Sequence, residues 1–209
     1  MKFKTGPKKR IQFGFGNGGL SAQSYKDVVG HYHTGVDYKN GYGESVISDN
    51  FGIVYKINRP EASPSGWCGV YYLVPDGTDW VEVCQGHLSK VYVEENDLIQ
   101  EGDEVGEEGN KGEVYYNGIR ITKEMQEAGD RRGSHVHEQF RPVKSVKKVN
   151  SKKHYLNKDG KKYRDLHGNY FEIKFDNDTN GCVNPYTYLV EKNSLPVEWV
   201  KKLINLIRT

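Results

Sequence analysis

Residues 65–89 read SGWCGVYYLVPDGTDWVEVCQGHLS. Two arms rich in Val, Tyr and Trp flank Asp76-Gly77, a dipeptide that tolerates the backbone of a tight hairpin turn. The stretch therefore reads as a β-hairpin, with residues two apart sharing a face. Its second arm ends in Gln85-Gly86-His87-Leu88-Ser89, which puts His87 where a strand runs out into a loop. A functional side chain and a capped surface histidine both suit that position.

Working outward, SVISDNFGIVYKIN (45–58) predicts two short strands around a turn at Asp49-Asn50. Downstream, VYVEENDLIQEGDEVGEEGNKG (91–112) carries glycines at 102, 106, 109 and 112 and reads as a compact β-arch. Its excess of Glu is expected to be solvated, and it lacks the alternating Asp/Asn ligands of a calcium loop. Residues 113–132 break the β pattern. There TKEMQEA (122–128), with Thr122 as cap and Gly129 as stop, predicts a loop carrying one short helix. The Lys-rich connection 144–162 holds a turn at 157–160 and is most simply a solvated hairpin, with an anionic polymer as the alternative partner. GNYFEIKF (168–175) is a further strand. In SLPVEWVKKLINLIR (194–208), Trp199, Val200, Leu203, Ile204 and Ile207 form one apolar stripe at helical spacing. This C-terminal helix is expected to pack on the body, with membrane-surface or partner docking as the alternative.

The 209 residues suffice for one good-sized domain, and abundant Gly and Tyr with little Leu favour a β-rich fold. The net charge of +2, with Lys and Glu interspersed, demands no nucleic-acid partner. No apolar run is long enough for a membrane span. The lead-in 1–29 is basic and Gly-rich, with no apolar segment behind its charges, so no secretory signal peptide is expected. Its glycines lack the Lys-Ser/Thr of a phosphate loop. Of the three cysteines, Cys68 and Cys84 flank the hairpin; a disulfide between them and two free thiols both fit.

The chemistry-bearing run is SHVHEQF (134–140). On a strand, His135 and His137 stand side by side, so one imidazole can bind a metal while the other transfers protons. In GHYHTGVDY (30–38), His33 and Asp37 can converge on a cation from an extended segment or simply order a loop, and His31 is a spare imidazole. Together His33, Asp37 and His137 offer two nitrogens and one oxygen, a zinc ligand set with a fourth position open for water. His87 and His135 remain for proton transfer and oxyanion stabilisation.

These residues resemble the lysostaphin and LytM type of zinc-dependent peptidoglycan endopeptidases. His33-Thr34-Gly35-Val36-Asp37 is similar to that family's His-x-Gly-x-Asp segment, and Gly86-His87-Leu88 to its Gly-His-Leu element. Gly102-Asp103-Glu104-Val105 resembles its Gly-Asp-x-Val arch, SHVH its His-x-His strand, and VNPYTYL (183–189) its closing motif. The resemblance implies a mainly β fold, an antiparallel sheet or open sandwich with a groove, and short helices in an insertion and at the C-terminus. It implies a domain over 30–192 with insertions at about 113–132 and 141–180. It implies one Zn²⁺ held by His33, Asp37 and His137, with His87 and His135 catalytic: His135 as base, His87 at the oxyanion. The substrate would be peptide stems and cross-bridges of bacterial peptidoglycan, met on the cell-wall side of the membrane. Delivery would fall to a virion, a lysis event or non-standard export, with a phage tail or secretion assembly as carrier. A catalytically silent wall-binding or structural module is the alternative. The chain departs from the family where Glu138-Gln139 follows the second histidine, and both insertions are expected near the groove. Tyr115, Tyr116, Tyr155 and Tyr170 are read as packing residues ahead of groove-shaping ones.

Overall fold

A computed structural model describes residues 10–13, 15–16, 26–27, 32–76, 79–146, 155–158, 161–166, 169–173, 179 and 181–185. In chain order the strands are β1 (Arg10–Phe13), β2 (Gly35–Lys39), β3 (Ser45–Ile47), β4 (Gly52–Asn58), β5 (Gly69–Asp76), β6 (Asp79–Gly86), β7 (Lys90–Val91), β8 (Leu98–Ile99), β9 (Glu104–Glu107), β10 (Val114–Tyr116) and β11 (Ile119–Ile121). Helix α1 (Lys123–Glu127) precedes β12 (Val136–Val146), β13 (Tyr155–Lys158), β14 (Lys161–Leu166) and β15 (Asn169–Ile173). The C-terminal helix expected over 193–209, His31, and the side chains of Tyr155 and Tyr170 lie outside the described residues.

The strand that carries SHVHEQF is the axis of the sheet. One edge of β12 pairs with β6, from His137 opposite Gly86 to Val143 opposite Trp80. Its other edge is shared: β2 takes Val136–Gln139 and β15 takes Val143–Val146. From β6 the sheet continues through β5 and β4 to β8; from β15 it continues through β14 to β13; β1 edges β2. Every one of these pairings is antiparallel, as expected for a mainly β chain.

Period-two alternation then sorts the side chains. Val136 and Phe140 of β12 point to one face with Val81 and Val83 of β6, Val70 and Tyr72 of β5, and Tyr38 of β2. A second sheet, β3–β9–β7, covers that face and contributes Val46, Val91 and Val105, while the nearby Leu88 joins the same core. Glu138 also points there. It is buried and accepts a hydrogen bond from its cross-strand neighbour Gln85, Nε2 to Oε1 at 3.2 Å. The opposite face carries His137, Gln139, Arg141 and Val143 against Gly86, Cys84, Glu82 and Trp80.

Several expectations meet the structure differently. The lead-in supplies strand β1, where the sequence shows little periodicity. The strands around Asp49-Asn50 exist, but β3 joins the covering sheet and β4 the main one. The three thiols are free and buried. Tyr71, not Cys68, lies opposite Cys84, so the hairpin register offers the two sulfurs no disulfide geometry. The 113–132 segment has its helix, with Thr122 Oγ1 accepting from Met125 N–H at 3.4 Å. It also has an unexpected hairpin, β10–β11, whose turn residues Asn117 and Gly118 both adopt positive φ, at 49° and 76°. Segment 141–180, expected as an insertion near the groove, continues β12 and pairs with it at Val143–Val146, away from His137.

A buried ion pair pins β12 to β6. Arg141 Nη1 donates to Glu82 Oε1 at 2.6 Å, with both side chains almost wholly buried. Removing one partner leaves a buried charge uncompensated, whereas removing both does not. Arg141→Met is expected to cost about 3–5 kcal/mol in urea unfolding, and the double variant Glu82→Met/Arg141→Met to recover most of that loss. Equal destabilisation by the single and double variants would show that the pair is not the determinant.

Candidate metal and catalytic site

Register places the candidate ligands. His137 on β12 lies directly opposite Asp37 on β2, on the face away from the core. His33 precedes β2 at the same parity as Asp37 and is bridged to Gly16. The extended segment, not a helix, is therefore what brings His33 and Asp37 together. Gly35 between them is required: a Cβ there would overlap the carbonyl oxygen of Glu138 and stand 2.9 Å from Cε1 of the His137 ring.

Three donor atoms converge. His33 Nε2 is 3.1 Å from Asp37 Oδ1 and 3.1 Å from His137 Nδ1, and His137 Nδ1 is 2.9 Å from Asp37 Oδ1. Burial by itself raises the Asp37 carboxyl, but the imidazoles of His135, His137 and His33 outweigh it and hold the group well below the usual carboxylate range. Burial lowers His137, with Asp37 pulling partly the other way. The triangle is thus one carboxylate and two imidazoles, the donor chemistry zinc prefers. A tetrahedral zinc at about 2.0–2.1 Å spaces its ligands by about 3.3 Å, so the observed triangle fits with little adjustment. Among the described residues this trio forms the group able to hold a metal ion.

The two remaining predicted residues stand beside it. His135 Nδ1 is 2.7 Å from the carbonyl of Gly133, and its Nε2 is 3.7 Å from Asp37 Oδ2. His87 Nδ1 is 2.7 Å from the carbonyl of Lys111, and the His87 and His135 ring centroids are 4.4 Å apart. In both rings the carbonyl can only accept, so Nδ1 carries the proton and Nε2 presents a lone pair. Burial, then the neighbouring His135 and His137, pushes the His87 imidazole well below its usual value and keeps it neutral. His87 also adopts φ 63°, an uncommon conformation for a non-glycine residue, where β6 gives way to its loop.

All five residues line one open cavity of about 460 Å³. Tyr115 and Tyr116 line it too, 52% and 43% exposed, so they border the groove instead of packing. Of the two segments expected as insertions, 113–132 contributes Glu113–Asn117 to the lining and, among the described residues, 141–180 contributes none.

Other contributors escape sequence reasoning. Trp67 sets its indole against His87, with ring centroids 4.6 Å apart, by lying over Gly69 and Gly86, which pair across β5 and β6. A Cβ at Gly86 would overlap that indole. Glu108, expected to be solvated, is 0% exposed. It accepts from Asn40 N–H at 2.6 Å, Gly41 N–H at 3.0 Å and Ser134 Oγ at 2.6 Å, tying the end of β2 to the entry of β12. Three regularly spaced glycines around it signal an arch but not which acid turns inward.

A family model and several solved structures are similar to this chain. The family model described as "Peptidase family M23" matches residues 31–151, more than half of the chain. The chain belongs to peptidase family M23. No curated protein sequence matches it. Among similar solved structures is a mutant catalytic domain of the prophage-encoded M23 protein EnpA from Enterococcus faecalis. It is 21% identical, covers 66% of this chain and 83% of its own, and has a TM-score of 0.44. The lysostaphin catalytic domain from Staphylococcus simulans is 19% identical over 69% of this chain and 84% of its own, at TM-score 0.41. A zinc-containing peptidase from Vibrio cholerae is 20% identical over 65% of this chain and 35% of its own, at TM-score 0.43.

The lowered His87 has a consequence for stability. An imidazole whose folded value is depressed binds its proton more readily in the unfolded chain. Its contribution is complete above about pH 6.5, the ordinary value, and is lost as the pH falls toward the folded value. In the presence of a chelator, unfolding free energy should drop below about pH 6.5. His87→Asn, which tolerates positive φ and can still donate to Lys111, should make that drop shallower. An unchanged slope would remove His87 as a cause.

Proposed function

We propose that this chain is a zinc-dependent endopeptidase that hydrolyses peptide cross-links of bacterial peptidoglycan. The observation that carries the reading is the joint placement, in one cavity, of the His33–Asp37–His137 donor triangle and two imidazoles that each present a bare Nε2. Membership of a peptidase family supports peptide hydrolysis; the donor set supports zinc. A bound zinc supplies Lewis-acid polarisation of the scissile carbonyl and a lowered pKa for water.

The chain's own groups do the rest. His135, anchored by the Gly133 carbonyl, holds Nε2 free to accept a proton from the attacking water. Asp37, 3.7 Å from that nitrogen, stabilises the imidazolium that results. The proton is then available to the leaving amine. His87, neutral and anchored the same way, is a hydrogen-bond acceptor at Nε2. It can orient the water directly; a contact to the oxyanion requires that it first gain a proton. Trp67 packs edge-on against His87, and Tyr115 and Tyr116 border the cavity. Among the described residues no helix is long and apolar enough to cross a membrane.

The roles separate experimentally. His135→Ala and His87→Ala are expected to retain one zinc per chain by metal analysis yet lose at least about 10²-fold in hydrolysis of purified peptidoglycan. His137→Ala is expected to lose both zinc and hydrolysis. Wild-type hydrolysis by His135→Ala at full zinc occupancy would sink the assignment.

A further inference from the structure

His137 differs from His87 and His135. His87 and His135 have Nδ1 tied to backbone carbonyls. His137 instead turns Nδ1 toward Asp37 and His33, and its Nε2 lies 3.3 Å from Thr34 Oγ1 in a buried contact. We propose that Thr34 is a positioning residue for the metal: its hydroxyl holds the His137 ring with Nδ1 turned to the cation site and accepts the Nε2 proton once Nδ1 ligates.

The chemistry needs a group of this kind. With no cation in the triangle, the carboxylate of Asp37 favours a proton on Nδ1, 2.9 Å from Oδ1, which leaves Nε2 as an acceptor. To ligate a cation, Nδ1 must offer its lone pair and the proton must move to Nε2. A backbone carbonyl opposite Nε2 could serve only the second state, and an N–H only the first. A hydroxyl serves both, because it rotates between donating to Nε2 and accepting from it. Thr34 is buried, so water does not readily substitute for it. The adjoining Gly35 leaves room for the ring, since a side chain there would press on His137 Cε1. Thr34 and Gly35 together form the seat of the His137 imidazole, one by a hydrogen bond and the other by the absence of a Cβ.

The inference depends on the zinc reading, and one titration separates the two. Zinc affinity is measured by competition with a chromophoric chelator for the unaltered chain, Thr34→Val and Thr34→Ser, with folding checked by circular dichroism. Thr34→Val keeps the side-chain shape and removes the hydroxyl; Thr34→Ser keeps the hydroxyl. The expected result is a loss of about 10- to 100-fold in zinc affinity for Thr34→Val and near-normal affinity for Thr34→Ser. In zinc-loaded Thr34→Ser, the ¹⁵N shifts of His137 should still report a proton on Nε2 and a metal on Nδ1. Should Thr34→Val fail to fold, Thr34→Ala takes its place in the same comparison. Wild-type affinity in the folded variant lacking the hydroxyl, or equal losses in the variants with and without it, overturns the role of Thr34 while leaving zinc binding intact. Absence of zinc binding by the unaltered chain overturns the zinc reading and this inference with it.

Discussion

The cross-strand pair His137–Asp37 sets the site, because register in an antiparallel sheet is all or none. A slip of one residue between β12 and β2 would turn His137 toward the core and Val136 toward the groove. That slip is opposed along the whole length of β12. Phe140, Val136 and their neighbours fill a core closed by the second sheet, while the Glu82–Arg141 pair locks the same register on the other face. The triangle of donor atoms is therefore held by packing energy spent several residues away.

The electrostatics explain why the site is poised for a cation. A carboxylate lies among four imidazoles, three of them buried, and burial disfavours protonating His87 and His137. An ionised Asp37 beside the His33 and His137 nitrogens is a concentrated set of donor atoms. Backbone carbonyls fix the protons of His87 and His135 on the nitrogens facing away, so the bare nitrogens face the cavity. Binding and proton transfer thus fall to different rings of one cluster.

Much of this was legible in the sequence, and the legible part has a common physical basis. Alternation and the Asp76-Gly77 turn mark β5–β6, parity marks His135 and His137 as neighbours, and Gly35-Val36 favours an extended segment between His33 and Asp37. The Asn117-Gly118 dipeptide between VYY and IRI was an equally strong hairpin signal, masked by the helix formers just after it. What could not be read depends on non-local partners. Glu108 is one acid among several until Asn40, Gly41 and Ser134 fold around it. Trp67 gains its place only because Gly69 and Gly86 happen to pair. Thr34 is an unremarkable residue inside a motif until β12 brings His137 to it.

The most direct measurement is digestion of purified peptidoglycans of differing cross-link type by the full chain, with and without chelator and with zinc restored, new termini being identified by mass spectrometry. The account predicts new peptide termini from at least one type, their loss on chelation and their return with zinc. Undiminished cleavage in the presence of chelator after metal removal is verified, or no cleavage of any type at full zinc occupancy, would contradict it.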